Sequence, residues 1–239
     1  NAPADPARKP DAADGRYRDA MRYGPRASIF VRRAALLDSK ADAALIDWYI
    51  REAFRDHELA ANAHREYGMQ LLVSDRNSLA RKEFHAALQF DNAPYDTRLG
   101  EVAAIAGEAA ASSAAGDSAA RARARAAIEP EVQELLAEET WSNNSSFLYG
   151  KLGIALYGLQ MYDAALCALD KAHLRALREP VWIEDIGNVY MDRAAEKGAN
   201  SGLDLAEAKK QFQAAAEIYR QLRQQKAVDD ITRKIAGIP

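Results

Sequence analysis

67-YGMQLLVSDRNSLARKEFHAA-87 and 152-LGIALYGLQMYDAALCALDKA-172 carry one spacing twice. In the first, Tyr67-Gly68 is followed by Ala80, Phe84 and Ala87. In the second, Leu152-Gly153 is followed by Ala165, Leu169 and Ala172. After each glycine the steps are 12, 4 and 3. Residues three and four apart share a helix face, so Ala80, Phe84 and Ala87 form one stripe and Ala165, Leu169 and Ala172 another. A glycine twelve residues upstream belongs to a preceding helix. Two helices approach to roughly 8–10 Å when the residues between them are small, which gives the Gly and the facing Ala a common purpose. The large residue four positions after that Ala is expected to fill the gap to whatever packs next.

This spacing resembles the tetratricopeptide repeat, a helix–turn–helix of about 34 residues with the pattern L-G-x-x-Y, A-x-x-x-F, A, P. Tyr162, three residues before Ala165, is a further match. The turn glycine common in the family is replaced by Asp75 and Gln160. Two degenerate copies accompany the good ones. Leu99-Gly100-x-x-Ala103 has its glycine 32 residues after Gly68, and its second helix reads as Ala120, Ala124 and Ala127, eight residues late. Ile186-Gly187-x-x-Tyr190 has its glycine 34 residues after Gly153, and its second helix reads as Ala208, Phe212 and Ala215, nine residues late. The delays coincide with 111-ASSAAGDS-118 and 197-KGANSGLD-204. Their Gly, Ser and Asn content reads as extended turns, over 109–119 and 196–204. A register on Ala199, Leu203 and Ala206 would place Ser201 and Gly202 inside a helix and is rejected.

The resemblance implies an all-α fold, a right-handed α-solenoid of tetratricopeptide-like repeats. Composition agrees: Ala abounds, while 13 Gly and 8 Pro in 239 residues leave few breakers. Pro94, Pro130 and Pro180 read as helix boundaries. Between 130 and 145 lies an extra element, a short helix with Val132, Leu135 and Leu136, followed by the loop 141-WSNNSS-146. No alternating β pattern occurs, and no run of 18 apolar residues suggests a membrane span.

Upstream, residues 28–60 read as an N-terminal helical cap, with Leu45, Trp48, Tyr49 and Phe54 at helical spacing. Residues 1–27 read as a basic, largely extended arm. The first 33 residues hold eight Lys or Arg against four Asp, a net of +4, leaving −7 on the rest of a chain whose total is −3. Such an arm suits an acidic partner. Nucleic acid is disfavoured by the acidic body and the few aromatics of the arm. The repeat domain is then 61–239. The start at Asn1 and the single cysteine fit a processed organellar or periplasmic protein and equally a bacterial cytosolic fragment.

Enzyme signatures are missing. His57-Glu58 opens like a zinc-protease motif, but the next histidine is His64, seven residues after His57 rather than four. No phosphate loop, dinucleotide fingerprint or nucleophile elbow occurs, and Cys167 has no evident base. Arg121, Arg123 and Arg125 read as a solvated helix face. No catalytic residue, metal or cofactor is expected.

By the resemblance, the first helices of successive repeats line a concave groove that binds a peptide or helix segment. Carried over residue by residue, the groove positions are Arg65, Met69 and Leu72, then Thr97, Glu101 and Ala104. Gly150, Ile154 and Tyr157 follow, then Glu184, Asn188 and Met191. The last two sets mix apolar and acidic groups, suiting a segment with a few basic residues. A clamp for a terminal carboxylate is disfavoured, because Met69 stands where such clamps have Asn. The expected function is a non-catalytic protein-interaction scaffold or adaptor. The alternative is a structural subunit or assembly factor embedded in a larger multiprotein complex through its arm, insertions and convex faces.

Overall fold

The computed structural model describes residues 60–90, 95–113, 117–138, 145–198 and 201–238. The arm, the cap stripe around Trp48, His57, Pro94 and the loop residues 141–144 lie outside the described residues. Among those described there are nine helices and no strand: α1 (Ala60–Val73), α2 (Asn77–Ala87), α3 (Tyr95–Ser113), α4 (Ser118–Ala137), α5 (Ser145–Gly158), α6 (Tyr162–Arg175), α7 (Pro180–Lys197), α8 (Gly202–Gln221) and α9 (Gln225–Ala236). The fold is all-α and tetratricopeptide-like. The chain divides into two compact units, residues 1–104 and 105–239.

In the first unit α1 and α2 form the hairpin of the first good repeat. Ala80, Phe84 and Ala87 are its buried stripe. A methyl group added at Gly68 would lie 3.0 Å from the Phe84 ring, and one added at Gly100 would lie 2.5 Å from it. Phe84 is therefore held between two glycines, one in its own hairpin and one in the next helix. The sequence pattern assigned this large residue to the gap beyond its repeat; it also fills the gap within it.

The second unit repeats the arrangement. Added methyls at Gly153 and Gly187 would lie 2.6 Å from Leu169 and from Phe212 respectively. Ala165 and Ala208 are fully buried beside those large residues. The delayed register on Ala208, Phe212 and Ala215 is thus the one adopted, with exposures of 1 % or less at all three. Helix α9 then lays Val228 and Ile231 into the same core as Ile183 and Phe212.

One turn recurs three times. Asp75, Gln160 and Arg223 all have left-handed backbone, with φ of 53°, 58° and 57°. Around each, two amides bond back in the same way: Asp75 N–H to the Leu72 carbonyl and Arg76 N–H to that of Leu71. Gln160 and Met161 bond likewise to Tyr157 and Leu156, and Arg223 and Gln224 to Arg220 and Tyr219. These are Schellman caps, which satisfy carbonyls that a helix end leaves open. Left-handed backbone is the state that glycine adopts at least cost, and a third copy of the turn lies between α8 and α9.

Four sequence expectations are corrected. The turns are shorter than 109–119 and 196–204, because α3 runs to Ser113, α4 starts at Ser118, α7 runs to Lys197 and α8 starts at Gly202. Alanine-rich backbone favours continuation. Ser112 stays helical by bonding its hydroxyl to the Glu108 carbonyl. Asp117 caps α4 through the Ala120 amide, at 2.9 Å. No separate helix starts at Pro130, which lies inside α4. The buried stripe Ile128, Val132 and Leu135 runs across it, and burying that stripe keeps the helix continuous despite the missing N–H. The same stripe replaces Ala120, Ala124 and Ala127, of which none is buried. Pro180 does stand at the start of its helix.

The arginines of α4 are not simply solvated. Arg121 and Arg125 each donate to the Gln160 side-chain oxygen at 2.8 Å, and Arg125 also donates to the Leu159 carbonyl. Arg123, pointing the other way, is exposed. The side chain of one repeat turn thus docks α4.

Candidate functional site

Of the expected groove positions in the first unit, Met69, Leu72, Thr97 and Ala104 are buried and offer a partner no surface. Their helices pack closely, and residues read as facing outward are covered. Arg65 stands 3.6 Å from the buried Asp96, and Glu101 bonds His85 at 2.9 Å. His64 bonds Glu83 at 2.8 Å, so it belongs to the α1–α2 hairpin, and the described residues contain no group of metal-ligating side chains.

The second unit differs. Gly150 is buried, since Trp182 covers it with ring atoms 2.4 Å from where a Cβ would be. Ile154 is 41 % exposed. Tyr157, Asn188 and Met191 line one cleft of about 230 Å³ together with Asp192, Arg233, Lys234 and Gly237, floored by the ring of Phe212. Helices α5, α7 and α9 supply the walls.

Glu184, Asn188, Asp192 and Glu196 stand four residues apart along α7 and share one face. Each has a partner. Lys234 of α9 donates to Glu184 Oε1 and to Asn188 Oδ1, both at 2.8 Å. Its ammonium lies 5.3 Å from the centroid of the Phe212 ring. Tyr219 donates to Glu184 Oε2 at 3.0 Å. Tyr157 donates to Asp192 at 2.5 Å and Tyr162 donates to Glu196 at 3.0 Å. The two tyrosine rings are 6.3 Å apart between centroids.

The electrostatics follow from this placement. Burial and the Asp192 carboxylate push the Tyr157 hydroxyl well above its ordinary value, and burial with Glu196 pushes Tyr162 up to about 12. Both hydroxyls remain donors across the physiological range. Asp185, beside the row, is pushed up to about 6, mainly by burial, with the Asn188 amide opposing the shift. The cations of α7 itself are committed elsewhere. Arg193 reaches Asp204 at 2.7 Å and also Asp163, and Lys197 reaches Asp204 at 2.9 Å.

Sequence reasoning missed Asp192, Glu196, Phe212 and Lys234 as site residues. Asp192 neighbours the position the pattern selected, and a four-residue period continued from Glu184 reaches both carboxylates. Helix α9 carries no repeat signature, so nothing in the pattern pointed to Lys234.

No protein-family model matches the chain, and no curated protein matches it. Among solved structures it is similar to the C-terminal part of a TPR repeat-containing protein from Cytophaga hutchinsonii. Identity is 15 %, coverage is 94 % of this chain and 88 % of that one, and the TM-score is 0.44.

Proposed function

We propose that this chain is a non-catalytic protein-interaction module and that its second unit binds a segment of a partner protein in the α5–α7–α9 cleft. The cleft itself carries the reading. It has an apolar floor, a tyrosine wall and, at its rim, the Asn188 amide, the Asp192 carboxylate and the cationic heads of Arg233 and Lys234, a mixture that anchors a short segment by both burial and hydrogen bonds. Tyr157 and Met191 would supply apolar contact, and Asn188 a polar one.

The test is selection of a random dodecapeptide library on the full chain. Amide chemical shifts are then followed as a selected peptide is titrated. Shifts concentrated at Tyr157, Asn188 and Met191 support the cleft. Replacing Tyr157 and Asn188 with Ala should weaken that peptide by about 1–3 kcal/mol. Some stability is lost as well, because each side chain also bonds within the fold. Shifts elsewhere, or a library with no binder, overturn the cleft.

A second reading, a subunit held in a larger complex, rests on different residues. Leu177, in the connection between α6 and α7, is 61 % exposed, and Leu203, in the first turn of α8, is 87 % exposed. Leucines so exposed fit burial against another subunit. Loss of a native complex on replacing both with Ser, with peptide binding intact, would favour it.

A further inference from the structure

The row on α7 is neutralised at one end only. Glu184 has Lys234, and Arg193 and Lys197 are both turned to Asp204. Among the described residues no ion pair reaches Asp192 or Glu196. Arg233, which also lines the cleft, pairs with Asp230. Two carboxylates one helical turn apart are thus left without a counter-ion: Asp192, which lines the cleft beside Tyr157, and Glu196, one turn beyond it.

They are nevertheless held in place. Each accepts a tyrosine hydroxyl, which fixes the carboxylate and leaves its other lone pairs free to accept. Because both tyrosines keep their protons, the pairs stay oriented and the carboxylates stay acceptors. The rings of Tyr157 and Tyr162 stand beside them, and an aromatic face attracts a cation. Preorganised acceptors also cost a ligand less ordering than mobile ones.

The fold already shows how such a row treats a lysine. Lys234 sits between a carboxylate and an amide of the same row, with its ammonium over the Phe212 ring. One turn further along, carboxylate and aromatic ring recur at Asp192 and Tyr157 without the cation.

Resting on the reading of the cleft as a segment-binding groove, we propose that Asp192 and Glu196, with Tyr157 and Tyr162, receive a lysine or arginine side chain of the partner segment. The aliphatic stem of that residue lies along Met191 and its charged head meets the carboxylates. The partner is thereby a basic segment with an apolar residue close to its cation.

The probe is the same random dodecapeptide library, selected on the full chain and in parallel on Asp192→Asn/Glu196→Gln, which keeps the shape and the tyrosine acceptors but removes both charges. The selected wild-type peptides should be enriched in Lys or Arg. One such peptide should bind the double variant at least tenfold more weakly, with a smaller loss of affinity between low and high salt. Replacing its basic residue by norleucine should cost tenfold on the wild type and little on the variant. Peptides that map to the cleft but show no basic enrichment, and bind the double variant equally, overturn this inference while leaving the groove intact. A library with no cleft binder overturns both.

Discussion

Gly187→Ala is the sharpest test of how the helices are held together, because two effects of opposite sign meet at one atom. In a helix interior, alanine is favoured over glycine by about 1 kcal/mol. At this position, however, the new Cβ would lie 2.6, 2.8 and 3.0 Å from three ring carbons of Phe212. The ring is 1 % exposed and packed among Ile183, Ala208, Ala215 and Ala216, and the Lys234 ammonium stands 5.3 Å from its centroid on the cleft side, so moving it displaces neighbours. Overpacking a tight core costs about 1–3 kcal/mol, and a contact this short belongs at the upper end. The clash wins, for a net destabilisation of about 1–2 kcal/mol. Gly202→Ala in the adjoining helix is the control, since nothing lies within 4 Å of a Cβ there. That variant should be neutral or gain a few tenths of a kcal/mol, as a helix-propensity gain in the first turn allows.

Urea unfolding of the full chain, followed by far-ultraviolet circular dichroism, measures the difference. With m of about 2–3 kcal/mol/M for a chain of this size, the Gly187→Ala midpoint should fall by roughly 0.5 M relative to Gly202→Ala. Adding Phe212→Leu to Gly187→Ala should recover part of the loss, giving a coupling that independent sites would lack. A Gly187→Ala midpoint at or above that of the parent would refute the close packing, and with it the reason offered for the repeated glycines.

Four further outcomes follow from individual residues. Arg223→Gly should raise stability by about 0.5 kcal/mol, relief of left-handed strain exceeding the extra chain entropy of glycine. Gln160→Gly, at the same backbone angle, should instead lower stability, because Arg121 and Arg125 lose their acceptor; thermal melts of the two variants decide. The Arg193 hydrogen bonds hold the Asp204 carboxyl below its ordinary range. Asp204 therefore contributes stability that is present above about pH 4 and is lost as pH falls through its lower folded midpoint. Asp204→Asn should cost about 1–3 kcal/mol at neutral pH and flatten the acid limb of a stability–pH curve. Asp185 has the opposite sign. Its folded midpoint of about 6 lies above its ordinary 3.8, so ionisation removes stability as pH rises from about 4 through 6. Asp185→Asn should raise neutral-pH stability by about 1–2 kcal/mol, below the ~3 kcal/mol that the full displacement would give, because water reaches part of the group.

The helical pairs were legible because they depend on steric facts that sequence records directly. A glycine meeting Phe84, Leu169 or Phe212 leaves the same trace wherever it occurs, even when the second helix is displaced by nine residues, as at Ala208. The turn residues were harder to read. Asp75, Gln160 and Arg223 share a backbone state but no side-chain chemistry, so their equivalence appears only in φ. Pro130 misled for a related reason: a proline signals a break only where no buried stripe runs through it, and Ile128, Val132 and Leu135 do.

The cleft was legible where it depended on register and illegible where it depended on charge accounting. Tyr157, Asn188 and Met191 follow from counting along repeats, since first-helix positions recur at fixed steps from each glycine. Met69, Leu72 and Thr97 come from the same count, and burial removes them from the surface, so register alone does not separate groove from core. The free charge of Asp192 and Glu196 is a property of the whole neighbourhood. By composition α7 looks balanced, because Arg193 directly follows Asp192 and Lys197 directly follows Glu196. Asp204, in the first turn of α8, draws both cations to the far side of the helix. Helix α8, starting at Gly202, carries that aspartate in its first turn, within reach of the last turn of α7. An aspartate outside the repeat pattern thus leaves Asp192 and Glu196 of α7 without a counter-ion among the described residues.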